Sequence, residues 1–418
     1  MIATVRSTRK LEGEIRVPGD KSISHRALIL GSIASGRSRL HGLSPGADVQ
    51  STVRCVGELG AVIDGAALEG CGMHGLQQAP GPLECGNSGT TMRLLAGLLA
   101  AQDFESELVG DESLSRRPMD RVVTPLREMG ARASWPPLRV GGATPLHGFV
   151  HTMPRPSAQV KSALLIAGLF AEGPTSVVEP VKTRDHTELM LRAMGASVEV
   201  DGLRVQVTPA GQLEPLDLDV PGDISAAAFW IVAAGLVRGS RIRLQGTGVN
   251  PTRTALLGVL QGCGFEVTVS KPRFVGSEPV GDLNAGTARN LKAVHVGDGL
   301  AAEMIDELPV LAVAATQLPG RSVIAGAGEL RVKESNRITA MEEGLSAMGA
   351  DITATDDGWV INGPRELEGV RVSAQGDHRV AMALSIAGLI AQGTTEIDGA
   401  ECVEISYPEF FDHLEYLC

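Results

Sequence analysis

The chain has 418 residues, of which 43% are hydrophobic and 21% charged, and a formal net charge of −12. Such proportions are ordinary for a globular protein of two or three domains. The negative balance argues against nucleic acid or an anionic membrane as partner, so local clusters of Arg and Lys run against the overall field and mark places where an anion is held.

In chain order, Thr4 to Val17 reads as strands with no helix before them. Val17-Pro18-Gly19-Asp20 is then a turn into an apolar helix that opens with Lys21, His25 and Arg26. A helix N-terminus carries partial positive charge, so cations there are misplaced unless an anion sits between them. From that point a pattern of apolar helix, small-residue turn and strand recurs. Its six copies are Ala27 to Leu40, Met92 to Val109, Ala163 to Val178, Ala226 to Leu244, Leu308 to Ile324 and Ala381 to Ile397. A second pattern, an amphipathic helix ending in Gly and followed by a strand, lies between them. It spans Val56 to Val62, Leu126 to Arg132, Leu191 to Val200, Leu260 to Val269 and Leu345 to Ile352. The Gly is a helix C-cap and the β-branched residues after it predict a strand. Successive units lie roughly 65–80 residues apart, too long for a solenoid repeat. Each reads as a compact α+β unit with two helices and a small sheet.

The Pro-Gly-Asp turn returns without its lysine at Val220-Pro221-Gly222-Asp223-Ile224-Ser225. The final helix, Pro408 to Leu417, has no strand after it, just as the first strands have no helix before them. The two ends are therefore expected to complete one domain, residues 1–19 and 223–418, with residues 20–222 inserted as the other. A cleft between two domains is a common ligand site, and the active site is expected there.

The cations gather at helix starts. Besides Lys21 and Arg26, these are Gly86-Asn87-Ser88-Gly89-Thr90-Thr91-Met92-Arg93, Ser157-Ala158-Gln159-Val160-Lys161, Arg331-Val332-Lys333-Glu334-Ser335-Asn336-Arg337 and Gly376-Asp377-His378-Arg379. In the fourth, Lys333 and Arg337 are expected on one helix face at i, i+4. Singly, each reads as a capping residue or a solvated charge; five in one repeat family suggest a strongly anion-binding cleft. Asp306 and Glu334 add carboxylates that can serve in capping, ion pairing or proton transfer. No metal-ligand spacing, Walker loop or dinucleotide fingerprint appears. The six cysteines, Cys55, Cys71, Cys85, Cys263, Cys402 and Cys418, form no C-x-x-C pair and read as reduced thiols of a cytoplasmic protein. No signal peptide is expected from Met1 to Arg6, and no apolar run is long enough to span a bilayer.

Eight motifs in this order and spacing are similar to those of the enolpyruvyl transferase family over nearly the whole chain. They are Asp20-Lys21-Ser22-Ile23-Ser24-His25-Arg26, Gly86-Asn87-Ser88-Gly89-Thr90, Arg117-Pro118, Ser157-Ala158-Gln159, Thr183-Arg184-Asp185-His186-Thr187, Asp306-Glu307-Leu308-Pro309, Lys333-Glu334-Ser335-Asn336-Arg337 and Asp377-His378-Arg379. The resemblance implies a two-domain inverse α/β barrel built from six βαβαββ units, three per domain, within the α+β class. It implies transfer of the enolpyruvyl group of phosphoenolpyruvate to the 5-hydroxyl of shikimate 3-phosphate, a step of aromatic amino acid biosynthesis, with no cofactor and by a monomer. By position, Lys21, Ser22, Arg26, Ser157, Ala158, Gln159, Arg184, Asp306 and Lys333 would hold shikimate 3-phosphate. Lys21, Asn87, Gly89, Arg117, Gln159, Arg337 and Arg379 would hold phosphoenolpyruvate. Lys21, Asp306 and Glu334 would be catalytic, Asp306 accepting the hydroxyl proton and Glu334 protonating the methylene carbon.

Two departures stand out. Ile405 precedes Ser406-Tyr407-Pro408 where many relatives carry Lys, and Asn336 takes the place of a common Asp. The alternatives are the sister activity on UDP-N-acetylglucosamine and a non-catalytic anion-binding module on the same scaffold. The sister branch places a Cys in the loop before its Arg-Pro; here that loop, Asp111 to Arg117, has none.

Overall fold

The computed structural model describes residues 1–141 and 145–418. The chain divides into two compact units: a terminal unit of Met1–Pro18, Pro221–Arg273 and Pro279–Cys418, and an inserted unit of Gly19–Val220 with Phe274–Glu278. The short segment at 274–278 is a feature that the sequence reading did not contain.

The inserted unit carries helices α1 (Lys21–Ser32), α2 (Ala47–Glu58), α3 (Gly89–Leu99), α4 (Glu112–Ser115), α5 (Asp120–Glu128), α6 (Ala158–Gly168) and α7 (His186–Ala193). Helices α1, α3 and α6 are the apolar ones, and nearly every residue after their first turn is buried. A helix apolar all round belongs in the middle of a core. The strands alternate instead: Arg37–His41 and Glu105–Val109 bury every second residue and turn the rest outward. That is the pattern of a sheet with one wet face. The unit is thus inverted, with helices inside and three four-stranded sheets outside.

Each sheet is built the same way. The strand after the inner helix pairs in parallel with a short strand on one side and antiparallel with a hairpin on the other. Arg37–His41, for instance, lies between Asp217–Asp219 and Ala67–Glu69, and Thr175–Val178 lies between Val150–Thr152 and Arg204–Val207.

The terminal unit repeats the plan with α8 (Ile224–Leu236), α9 (Ala255–Gly262), α10 (Asp298–Glu303), α11 (Leu308–Ala315), α12 (Arg337–Ala347), α13 (His378–Ile390) and α14 (Phe410–Leu417). Here α8, α11 and α13 are the buried apolar helices. The third sheet is closed by strand Ile2–Arg6, antiparallel to Thr394–Asp398, with Ile2 opposite Asp398. The last helix docks through aromatics: Phe410 stacks on Trp230 of α8 at 5.0 Å, and Trp230 Nε1 donates to the buried Tyr407 hydroxyl at 2.9 Å. All six repeats and all five glycine-ended helices read from the sequence are present. Gly60, Gly130, Gly195, Gly264 and Gly349, which follow α2, α5, α7, α9 and α12, have φ of 106°, 97°, 86°, 97° and 93°. A side chain disfavours that left-handed region, so glycine ends the helix there at least cost.

All six cysteines are free thiols. Among the described residues no helix is long and apolar enough to cross a membrane.

Small residues let the inner helices touch. A Cβ added at Gly97 of α3 would lie 2.2 Å from the carbonyl oxygen of Ala163 on α6, a backbone atom that cannot step aside. Gly97→Ala is expected to destabilise the protein by about 1–3 kcal/mol or more through overpacking. The control, Gly57→Ala on α2, meets nothing within 4 Å and is expected to be neutral or to stabilise by about 0.5–1 kcal/mol. Urea melts of the two variants compare them directly.

Candidate active site

In the inserted unit most of the expected site residues sit at the starts of the three buried helices, while Arg117 follows α4 and Arg184 precedes α7. Each start is capped from the side chain just before it. Asp20 accepts from the amide of Ile23, Ser88 from Thr91 and Ser157 from Val160, at 3.0, 3.1 and 3.3 Å. None of the three helices has an acidic residue in its first turn, so the partial positive charge there is not cancelled from within.

Around α1, Lys21 Nζ donates to Asp48 Oδ2 at 2.8 Å. Ser22 is gripped twice: its hydroxyl accepts from Arg184 Nη1 at 3.2 Å, and its carbonyl accepts from Arg26 Nη1 at 2.9 Å. Arg26 is only 1% exposed. Its Nε donates to Thr187 Oγ1 and its Nη2 to Ser162 Oγ, both at 2.7 Å.

His25 is a correction. The sequence suggested a third cation at this helix start, but the ring is fully buried. Burial, then Lys21 and Arg26, push its pKa well below the usual imidazole range, against a smaller opposing pull from Asp20. The neutral ring instead contacts Thr52 Oγ1 through Nδ1 at 2.7 Å, and Thr52 contacts Thr91 at 2.7 Å. This chain of hydrogen bonds ties α1 to α2 and α3.

Around α3, Arg117 Nη2 donates to Asn87 Oδ1 at 2.5 Å, and Asn87 Nδ2 donates to Asp111 Oδ2 at 2.7 Å. Gln159, in the first turn of α6, is held from both sides: Oε1 accepts from Arg93 Nη1 at 2.6 Å and Nε2 donates to Thr90 Oγ1 at 2.8 Å. Gly89 lies under this group. A Cβ there would come within 2.7 Å of Arg93 Nη1 and 3.4 Å of Arg117 Nη1. Ala158 lies beside Gln159, immediately after the cap Ser157.

The terminal unit gathers the remaining residues. Asp306 Oδ1 is 3.6 Å from Lys333 Nζ, 3.5 Å from Arg337 Nη1 and 3.7 Å from Arg379 Nε. Its carbonyl accepts from Arg379 Nη1 at 3.0 Å. Arg337 Nη2 donates to Glu334 Oε2 and its Nε to Asp377 Oδ2, both at 2.7 Å. Arg337 is fully buried. Burial would lower its pKa, but Asp377, then Glu334 and Asp306, outweigh that and hold it above the ordinary guanidinium value.

Lys333 and Arg337 do not share a helix face as expected. Asn336 caps α12 by accepting from Thr339 N at 3.3 Å, so the helix begins only at Arg337. Lys333 is extended, at φ −83° and ψ −153°. The two cations meet at Asp306 by convergence, not by periodicity. The bond from the Thr339 amide gives Asn336 its place as a cap.

Several members of the site carry no distinctive signal in the sequence. Asp48 is one of several polar residues on α2, and Arg93, expected as the cation of its helix start, gives no sign that it would hold Gln159. Asp377 reads as a cap, which it is, accepting from Arg379 N at 2.9 Å; that it also holds Arg337 is visible only in three dimensions.

A family model described as EPSP synthase (3-phosphoshikimate 1-carboxyvinyltransferase) matches residues 5–414. A relative from Geobacillus kaustophilus, named 3-phosphoshikimate 1-carboxyvinyltransferase, is 48% identical over 97% of this chain and 98% of its own. One of the same name from Gloeobacter violaceus is 49% identical over 98% of each chain. A solved structure of EPSP synthase from Acinetobacter baumannii is similar with a TM-score of 0.88 and 41% identity, covering 100% of this chain and 98% of that one.

Asp377 is 0% exposed and serves a helix end and a buried guanidinium together. Asp377→Ala leaves Arg337 short of a partner and removes a cap, and is expected to cost about 3–5 kcal/mol of stability. A denaturant melt at neutral pH measures it.

Proposed function

The chain belongs to the EPSP synthase family, and from that premise we propose which of its residues carry the reaction. The activity is transfer of the enolpyruvyl group of phosphoenolpyruvate to the 5-hydroxyl of shikimate 3-phosphate, with release of inorganic phosphate, in the shikimate pathway. We assign residues of both units to one pair of substrates. Lys21, Ser22, Arg26, Ser157, Ala158, Gln159, Arg184, Asp306 and Lys333 hold shikimate 3-phosphate. Lys21, Asn87, Gly89, Arg117, Gln159, Arg337 and Arg379 hold phosphoenolpyruvate. Both substrates are multiply charged anions, and their repulsion opposes pairing. Fixed cations offset that repulsion and orient the reacting atoms.

The observation that carries the assignment is Asp306, one carboxylate within 3.7 Å of Lys333, Arg337 and Arg379. Asp306 accepts the proton of the attacking hydroxyl, and Lys333 beside it balances the charge that develops on that oxygen. The new C–O bond forms at C2 of phosphoenolpyruvate while Glu334 delivers a proton to C3. The tetrahedral intermediate then loses phosphate: the C2–O bond to phosphate breaks, a proton returns from C3 to the Glu334 carboxylate, the double bond returns, and the proton held by Asp306 is released to phosphate or water. Lys21 and Arg117 stabilise the departing dianion. The free thiols suit a reducing compartment, and the reading is of a cytoplasmic monomer with these small molecules as its partners.

The decisive measurement is phosphate release from the purified protein with both substrates and excess chelator. Release is expected; release only when UDP-N-acetylglucosamine replaces shikimate 3-phosphate would overturn the substrate assignment. Asp306→Asn and Glu334→Gln keep the side-chain size but cannot exchange the proton, and each is expected to lower kcat by about 100-fold or more. Folded variants with near-normal kcat would remove these two roles.

A further inference from the structure

Two stretches of the sequence, Ser157-Ala158-Gln159-Val160-Lys161 and Thr183-Arg184-Asp185-His186-Thr187, are joined by a buried ion cluster that the mechanism above does not use. Lys161 lies on α6, one turn past the cap Ser157, and is 1% exposed. Its Nζ is 2.9 Å from Glu179 Oε2, 2.7 Å from Glu188 Oε1 and 3.5 Å from the carbonyl oxygen of Thr183. Glu179 follows strand Thr175–Val178 and Glu188 lies in the first turn of α7; both are buried. The second oxygen of Glu179 accepts from the Thr183 amide at 3.1 Å and also from the Thr183 hydroxyl. The next residue is Arg184, which reaches Ser22.

Stability alone does not call for such a cluster. Desolvating three charged groups is costly, and apolar packing of the same volume is often as stable or more so. An ion cluster with short, directional contacts does fix the geometry of the backbone at its edges. Here the loop from Glu179 to Glu188 is pinned at Thr183 and again at Glu188, on either side of Arg184. A free loop would sample many backbone conformations.

We propose that Lys161 is a positioning residue for shikimate 3-phosphate. Through Glu179 and Thr183 it sets the backbone before Arg184, so that the guanidinium meets an anionic group of the substrate already oriented, a role that rests on the assignment of Arg184 above. Lys161 touches no substrate atom.

The test is a double-mutant cycle on the full chain, read as shikimate 3-phosphate affinity by calorimetry, with thermal melts to check folding. Arg184→Ala is expected to weaken binding by about 10–100-fold, the scale of a charged hydrogen bond. Lys161→Met is expected to weaken it by about tenfold, as a displaced binding group does. Thr183→Val leaves the ion cluster intact and is expected to weaken binding by about threefold or more, through the lost hydroxyl bond. In the Arg184→Ala background both changes should have almost no further effect, the mark of action through one residue. The KM for phosphoenolpyruvate should move less than the affinity for shikimate 3-phosphate throughout. If Lys161→Met does not fold, Thr183→Val decides. Parental affinity in folded Thr183→Val and Lys161→Met, or an undiminished loss in the Arg184→Ala background, would overturn the clamp alone. Parental affinity in Arg184→Ala would instead remove the assignment of Arg184, and the clamp with it.

Discussion

A helix that is apolar on every side has only its ends with which to meet anything polar. Among the described residues six helices, three in each unit, come close to that kind, with few polar side chains beyond their first turns, and much else follows from their burial. They must occupy the centre, so the sheets take the outside with one dry face and one wet face. Their sides are closed to chemistry. Their first turns are open, and the unpaired amides there need acceptors. Short side chains supply some of these, namely Asp20, Ser88, Ser157, Asp223 and Asp377. Several residues assigned to substrate, among them Lys21, Ser22, Asn87, Gly89, Ala158, Gln159 and Arg379, stand beside those caps, where the backbone itself favours negative charge.

The cations of the site are already engaged within the protein. Lys21 has Asp48, Arg117 has Asn87, and Arg337 has three carboxylates. Prior pairing fixes each group in one direction and lowers the penalty of holding like charges together. On the proposed assignment a substrate anion would meet donors whose directions are set, so little reorganisation would accompany binding or reaction. Arg337 is the densest case. It links Asp306, Glu334 and the cap of α13, so the two carboxylates given opposite proton roles are held by one rigid, planar group.

Much of this was legible in the sequence because it follows from local rules. The inner helices announce themselves by continuous apolar runs, and the outer ones by a glycine that the structure holds at positive φ. The motif residues stand at helix starts because capping is a property of a few consecutive positions. Contacts that cross from one element to another are not written in any one motif. His25 stands among cations in the sequence, but its burial first, and then the charges of Lys21 and Arg26, hold its pKa well below the usual imidazole range. The spacing of Lys333 and Arg337 suits one helix face, but the cap at Asn336 starts the helix after Lys333. Arg93 and Lys161 stand in the motif stretches, but their partners Gln159, Glu179 and Glu188, like the pairing of Lys21 with Asp48, depend on which elements lie side by side, information that no window of the sequence contains. The same holds for Phe274–Glu278, which groups with the inserted unit although its hairpin belongs to the other by connectivity.

The pairing of Ile2–Arg6 with Thr394–Asp398 also bears on how the protein is made. The first strand emerges from the ribosome about 400 residues before its partner, roughly 20–80 s earlier at ordinary rates of synthesis. Through that interval its edge has no native partner and is a template for wrong pairing. The inserted unit, by contrast, is nearly contiguous and can build its core while the rest is still being translated. The order of synthesis thus turns the two units into an early folder and a late one. The chain's beginning is among the last parts of it to reach its native place.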